Sequence, residues 1–112
     1  MLAQSFWQSG ILTAGDHIII SIAEHHANIV PRQMLAARHG IIIDWVGLKD
    51  DLTLDYQQMM HLLTDRTKVI SLTACSNVLG IVYDFSQVRD LIGERYLLVD
   101  ASQVIAHQKI DI

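Results

Sequence analysis

Three short stretches of this 112-residue chain carry the residues with chemical potential. In Tyr96-Leu97-Leu98-Val99-Asp100-Ala101-Ser102-Gln103 an apolar run stops at a carboxylate and small polar residues. That is how a buried parallel strand delivers side chains to a site at its carboxyl end. A carboxylate there is costly to bury unless a positive group compensates it. Asp100 can therefore hold a protonated ring nitrogen such as that of pyridoxal phosphate, with Gln103 donating to the ring's phenolic oxygen. Asp100 can equally cap the next helix, the commoner role on spacing alone.

Glu24-His25-His26-Ala27-Asn28 follows a second apolar run and could hold an imidazole at a strand-to-helix junction. His25 could stack on a flat cofactor and move protons near neutral pH, since histidine titrates at about 6.5. A pair of polar residues opening a helix is the plainer alternative. In Ser76-Asn77-Val78-Leu79-Gly80, Asn77 could hydrogen-bond a ligand oxygen while Gly80 frees the backbone to turn; alone, this is a loop. Cys75 directly follows a buried-looking strand and reads as an inert core residue. The histidines at 17, 25, 26, 39, 61 and 107 include no i, i+4 pair, so no metal site is expected.

The elements that must position these residues alternate in type. Met1–Ser9 has Met1, Leu2, Phe6 and Trp7 at helical spacing with no N-cap before them, like the back half of a helix. Thr13-Ala14-Gly15-Asp16 is a turn, and His17–Ser21 a short β-branched strand. Ile29, Val30, Gln33, Met34 and Ala37 continue with helical period, Pro31 being tolerated if it lies in the first turn, and Gly40 stops the helix. Ile41–Val46 is the next strand, Gly47–Asp51 a loop, and Leu54–Leu63 a helix with Leu54, Met59, Leu62 and Leu63 on its inner face. Lys68–Thr73 is the third strand, Asp84 caps a helix running to Ile92, and Tyr96–Val99 is the fourth strand. Strands alternating with helices predict an α/β fold, a mostly parallel sheet with flanking helices and right-handed crossovers.

Composition narrows the function classes. Net charge is −4, and the eight Lys and Arg are scattered, so no phosphate-backbone footprint is visible and no nucleic acid is expected. A single cysteine rules out an internal disulfide and fits a reducing, cytoplasmic location. The first Lys or Arg is Arg32, too late for a signal peptide's charged start, and no apolar run approaches the ~20 residues of a membrane span. At 51% hydrophobic residues, the chain carries apolar surface for something beyond itself.

Taken in order, Ala14-Gly15-Asp16-His17-Ile18-Ile19-Ile20-Ser21, Glu24-His25-His26-Ala27-Asn28-Ile29-Val30-Pro31, Ser76-Asn77-Val78-Leu79-Gly80 and Val99-Asp100-Ala101-Ser102-Gln103 closely resemble the Suf-type cysteine desulfurases of the class V aminotransferase family. The resemblance covers nearly the whole chain. It implies a fold-type I large domain binding pyridoxal phosphate, which takes sulfur from L-cysteine to give alanine and a persulfide for iron–sulfur cluster assembly. It implies that His25 stacks on the ring, Asp100 pairs with the pyridine nitrogen, Gln103 reaches the phenolic oxygen and Asn77 lies beside cofactor and substrate. Some relatives act on selenocysteine. A sulfur-acceptor protein and a homodimer are the implied partners. The sequence departs from the family at Arg32, where Trp is frequent, at Ala74-Cys75, where His-Val is frequent, and at Ala101-Ser102, where Gly-Ala is frequent.

Residues 1–112 are accordingly expected to be the central segment of the large domain, truncated at both ends. The family's phosphate-binding turn would precede Met1, and its Schiff-base lysine, persulfide-carrying cysteine and substrate-carboxylate arginine would follow Ile112. The rival is a non-catalytic fragment that folds against a partner chain through open sheet edges. The purified chain is expected to show no desulfurase activity alone; enzyme-dependent conversion of cysteine to alanine would contradict this.

Overall fold

The computed structural model describes residues 2–24, 26–74 and 85–100. Helix α1 (Leu2–Gln8) leads into β1 (His17–Ser21), α2 (His26–His39), β2 (Ile42–Val46), α3 (Tyr56–Leu62), β3 (Thr67–Thr73), α4 (Phe85–Ile92) and β4 (Tyr96–Asp100). The strands form one sheet in the order β2-β1-β3-β4, every pairing parallel. The alternation read from the sequence is therefore the alternation of the fold.

Strand order fixes where the helices lie. From β1 the chain steps outward to β2, then returns past β1 to β3 and continues to β4. Right-handed crossovers require the helix of the first step to cover one face and those of the later steps the other. The core divides accordingly. Ile19, Val46, Ile70 and Leu72 pack with Met59 of α3 and with Val88 and Ile92 of α4. Ile18, Ile20 and Val69 pack with Leu12 and Leu35, with Phe6 and Trp7 of α1 against them. Alternation along each strand sends neighbouring residues to opposite faces, which is why three consecutive isoleucines in β1 are all buried.

Several boundaries have visible causes. Asp55 caps α3, its Oδ1 accepting from the Gln58 backbone N–H at 3.0 Å, so that helix begins after Leu54, later than its apolar pattern suggests. Leu54 is instead fully buried and pairs with Leu48. Gly40 ends α2 at φ +70°, the left-handed conformation that favours glycine.

In α2 the sequence expectation fails in two ways. Pro31 lies in the second turn, inside the helix, where it lacks the N–H that residue 27's carbonyl would receive. The buried side chains are Arg32 and Leu35, whereas Val30 and Met34 are exposed. Period alone located the helix but not its inner face.

The amino ends of the strands are clamped by charge. The Asp16 carboxylate accepts from the Thr13 N–H and hydroxyl and meets Arg66 at 3.2 Å. Arg95 donates to the carbonyls of Thr64, Thr67 and Ile92. Ile70, fully buried on β3, is expected to lose about 2–5 kcal/mol of stability as Ile70→Ala, while exposed Ile42→Ala on edge strand β2 loses about 0.5 kcal/mol or less. Urea unfolding of the two variants measures the contrast.

Candidate functional site

The connection of β1 leaves the sheet on one side and that of β3 on the other, so the carboxyl ends of these neighbouring strands form the topological switch point where open α/β sheets place ligands. Glu24 occupies it. Its Oε1 accepts from the Ser21 hydroxyl at 2.7 Å, on the last residue of β1, and from the Thr73 backbone N–H at 2.6 Å, on the last residue of β3. The Ala23 N–H closes the turn onto the Ser21 hydroxyl. With Glu24 only 7% exposed, its charge requires both the donors and a cation.

Asp100 is the last residue of β4, one place further than the sequence reading ended that strand, and is partly buried. It pairs with Thr73 in the β3–β4 ladder, and its carbonyl accepts from the Ala74 N–H at 2.8 Å. Counting by twos from Tyr96, which pairs with Val69, places Asp100 on the same face as Val69, Ser71 and Thr73. That is the face α2 covers. The next turn of α2 after Pro31 brings Arg32 to the same face, 6% exposed. Burial pushes its guanidinium below the ordinary arginine range, and the charges of Glu24 and Asp100 draw it back up.

Of the residues singled out by sequence, Asp100 is placed at a strand end as expected. His25, Asn77 and Gln103, with Cys75 and the Ser76–Gly80 loop, lie outside the described residues. Sequence reasoning treated Glu24 only as a neighbour of the histidines and Arg32 only as a departure from a family pattern. A strand-end glutamate followed eight residues later by an arginine, in a helix with few other charges, was the available signal.

A groove lies at the opposite end, among Gly10, Asp16, Arg66, Lys68, Arg95 and Tyr96. Its cations are committed elsewhere: Arg66 to Asp16 and the Ala14 carbonyl, Arg95 to three carbonyls, Lys68 to the Asp65 carbonyl. It is part of the scaffold, remote from the strand ends where Asp100 and Glu24 sit.

The family model described as aminotransferase class-V matches residues 1–112. The chain belongs to that family. Its relatives include a cysteine desulfurase of Pectobacterium atrosepticum, 38% identical over 117 residues, covering 100% of this chain and 28% of that protein. Among solved structures, the Escherichia coli cysteine desulfurase CsdA superposes with a TM-score of 0.85 at 33% identity, over 96% of this chain and 27% of that one. A C-DES mutant with glycine covalently linked to its PLP cofactor shares the fold, with a TM-score of 0.76 at 23% identity over 88% of this chain and 28% of that one. The chain thus spans about a quarter of the length of the proteins it matches. The four-stranded parallel sheet with flanking helices is part of the fold-type I architecture expected from the sequence.

Glu24→Ala leaves the Thr73 N–H without its acceptor and removes one of the two carboxylates that stabilise the Arg32 charge, and is expected to cost about 1–3 kcal/mol in urea unfolding. Ser21→Ala removes one donor and should cost less; an equal or larger loss would mean that the bridge to β3 is not what matters.

Proposed function

We propose that this chain is the central part of the cofactor-binding domain of a pyridoxal phosphate-dependent cysteine desulfurase. The observation that carries the reading is identity of 36–41% to curated cysteine desulfurases over nearly the whole chain, with Asp100 at the carboxyl end of a strand flanking the switch point. A partly buried carboxylate in that position has the chemistry to meet a heterocyclic ring nitrogen, so Asp100, the one of the four proposed residues that is described, suits the group. Bound there, pyridoxal phosphate supplies an electron sink for a carbanion on the substrate.

The chain's own contribution is binding and orientation. Asp100 faces the pyridine nitrogen, Gln103 donates to the phenolic oxygen, Asn77 lies beside the ring and substrate, and His25 stacks on the ring and moves protons. Glu24 holds the ends of β1 and β3 together, beside the strand that ends in Asp100. L-cysteine is the substrate, with selenocysteine as the alternative within the family; a sulfur-acceptor protein and a second copy of the complete protein are the partners, in the cytoplasm.

A second reading, a piece that assembles with a partner chain without catalysing by itself, is favoured by the two sheet edges. β2 carries Ile42 and Trp45, and β4 carries Tyr96 and Val99, all exposed large apolar residues on strands with one unpaired side among the described elements. A visible absorption titration of the purified chain with pyridoxal phosphate tests the cofactor reading. Saturable binding, weakened severalfold or more by Asp100→Asn and by His25→Ala, is expected. No saturation, in a chain whose circular dichroism shows it folded, would overturn it.

A further inference from the structure

The cofactor reading depends on where Asp100 stands, and Asp100 stands where the end of β3 holds it. Successive backbone N–H groups of an inner strand point to alternate neighbours. The Ala74 N–H points to β4 and donates to the Asp100 carbonyl at 2.8 Å. The Thr73 N–H points the other way, to β1, and there the ladder has run out. β1 pairs with β3 only as far as Ile20 and Ser71, two residues short of Thr73, and the Ile22 N–H turns instead to the Val46 carbonyl of β2. Thr73 is buried, and a buried N–H without an acceptor is costly.

Glu24 supplies that acceptor. Its Oε1 takes the Thr73 N–H at 2.6 Å, and the same atom is fixed from β1 by the Ser21 hydroxyl at 2.7 Å. Thr73 reaches on to Asp100, as its ladder partner and through a hydroxyl 3.5 Å from the Asp100 carbonyl oxygen. One line of bonds therefore runs from the last residue of β1, through Glu24 and the end of β3, to the backbone of Asp100. Both donors to Glu24 are neutral and converge on one oxygen atom, so the line needs an acceptor at the right distance from the backbone and does not need its charge.

We propose that Glu24 is a positioning residue for the cofactor, acting through Thr73 on the place of Asp100, and that the reach of its side chain sets that place. The inference rests on the cofactor reading for what Asp100 meets, but the line of bonds does not. Glutamine and aspartate separate reach from charge. Glu24→Gln keeps an oxygen at the same reach without the charge. Glu24→Asp keeps the charge but is one methylene shorter, and cannot meet Ser21 and Thr73 together.

Two measurements on the full 112-residue chain test it. Without cofactor, amide hydrogen exchange reads the line of bonds. Glu24→Asp should speed exchange at Thr73 and Ala74, relative to Ile70 in the middle of β3, by about tenfold or more, while Glu24→Gln leaves that ratio near wild type. An unchanged ratio in Glu24→Asp, or an equal rise in Glu24→Gln, overturns the proposal.

The second measurement is a double-mutant cycle on the dissociation constant of pyridoxal phosphate. Glu24→Asp should weaken binding by about fivefold or more in the wild-type background and by less than about twofold in Asp100→Asn, because a residue acting through Asp100 then has nothing left to position. A residue that only stabilises the fold weakens binding equally in both backgrounds, and equal losses overturn the proposal. Glu24→Gln should bind within about twofold of wild type. A loss as large as that of Glu24→Asp would assign the effect to charge and overturn it. Where Glu24→Asp does not fold, Ser21→Ala, which cuts the line at its β1 end, takes its place in both measurements. No saturable binding by the folded wild-type chain overturns the cofactor reading itself, and with it this role of Glu24.

Discussion

The carboxylate of Glu24 is the constraint on which the carboxyl end of this sheet depends. Adjacent parallel strands hydrogen-bond along their length, but at their ends they separate to feed helices on opposite faces, and there the ladder no longer holds them. One oxygen atom, accepting from the hydroxyl that ends β1 and from the amide that ends β3, replaces the missing rungs. A neutral acceptor could make the same contacts. A charge makes them stronger and shorter, and also calls for a cation. Arg32 answers that demand from α2, so one buried charge joins β1, β3 and a helix packed across them.

The two ends of the sheet are built differently from similar parts. At the amino end, Asp16, Arg66 and Arg95 spend their capacity on backbone groups and on each other, holding turns in place. At the carboxyl end, Glu24 ties β1 to β3 where two crossovers diverge, and Asp100 ends the neighbouring strand β4. Charges at one end close turns; at the other they lie where open α/β sheets generally bind ligands. The chain belongs to the aminotransferase class-V family, and open α/β sheets in general bind ligands at the second end.

Much of this architecture was legible in the sequence. The strand at His17–Ser21 was read with its exact limits, and the others to within one residue, because short β-branched runs bounded by Gly, Asp and Thr have no competing interpretation. Asp100 was legible as a strand-end carboxylate because an apolar run stops at it. What escaped was lateral. The sequence does not reveal which face of α2 turns inward when the apolar residues Val30 and Met34 compete with Arg32 and Leu35, since that choice is made by the sheet beneath. Burying an arginine is favourable only if carboxylates from β4 and from the β1–α2 connection meet it, and no local window contains all three. Leu54 misled for a related reason: its burial belongs to a bridge with Leu48, not to the helix that follows.

Pro31 sits one residue before Arg32 and removes one rung from the hydrogen-bond ladder of α2. The helix therefore consists of a short opening turn, running from His26, and a longer body that begins with the buried guanidinium. The opening turn is tied to the body by one fewer backbone bond than in an uninterrupted helix. Arg32 and Leu35, one turn apart, are the two buried side chains of that body. The guanidinium is thus held by the part of the helix whose hydrogen-bond ladder is uninterrupted, so the choice of which residue faces the sheet is made beyond the proline.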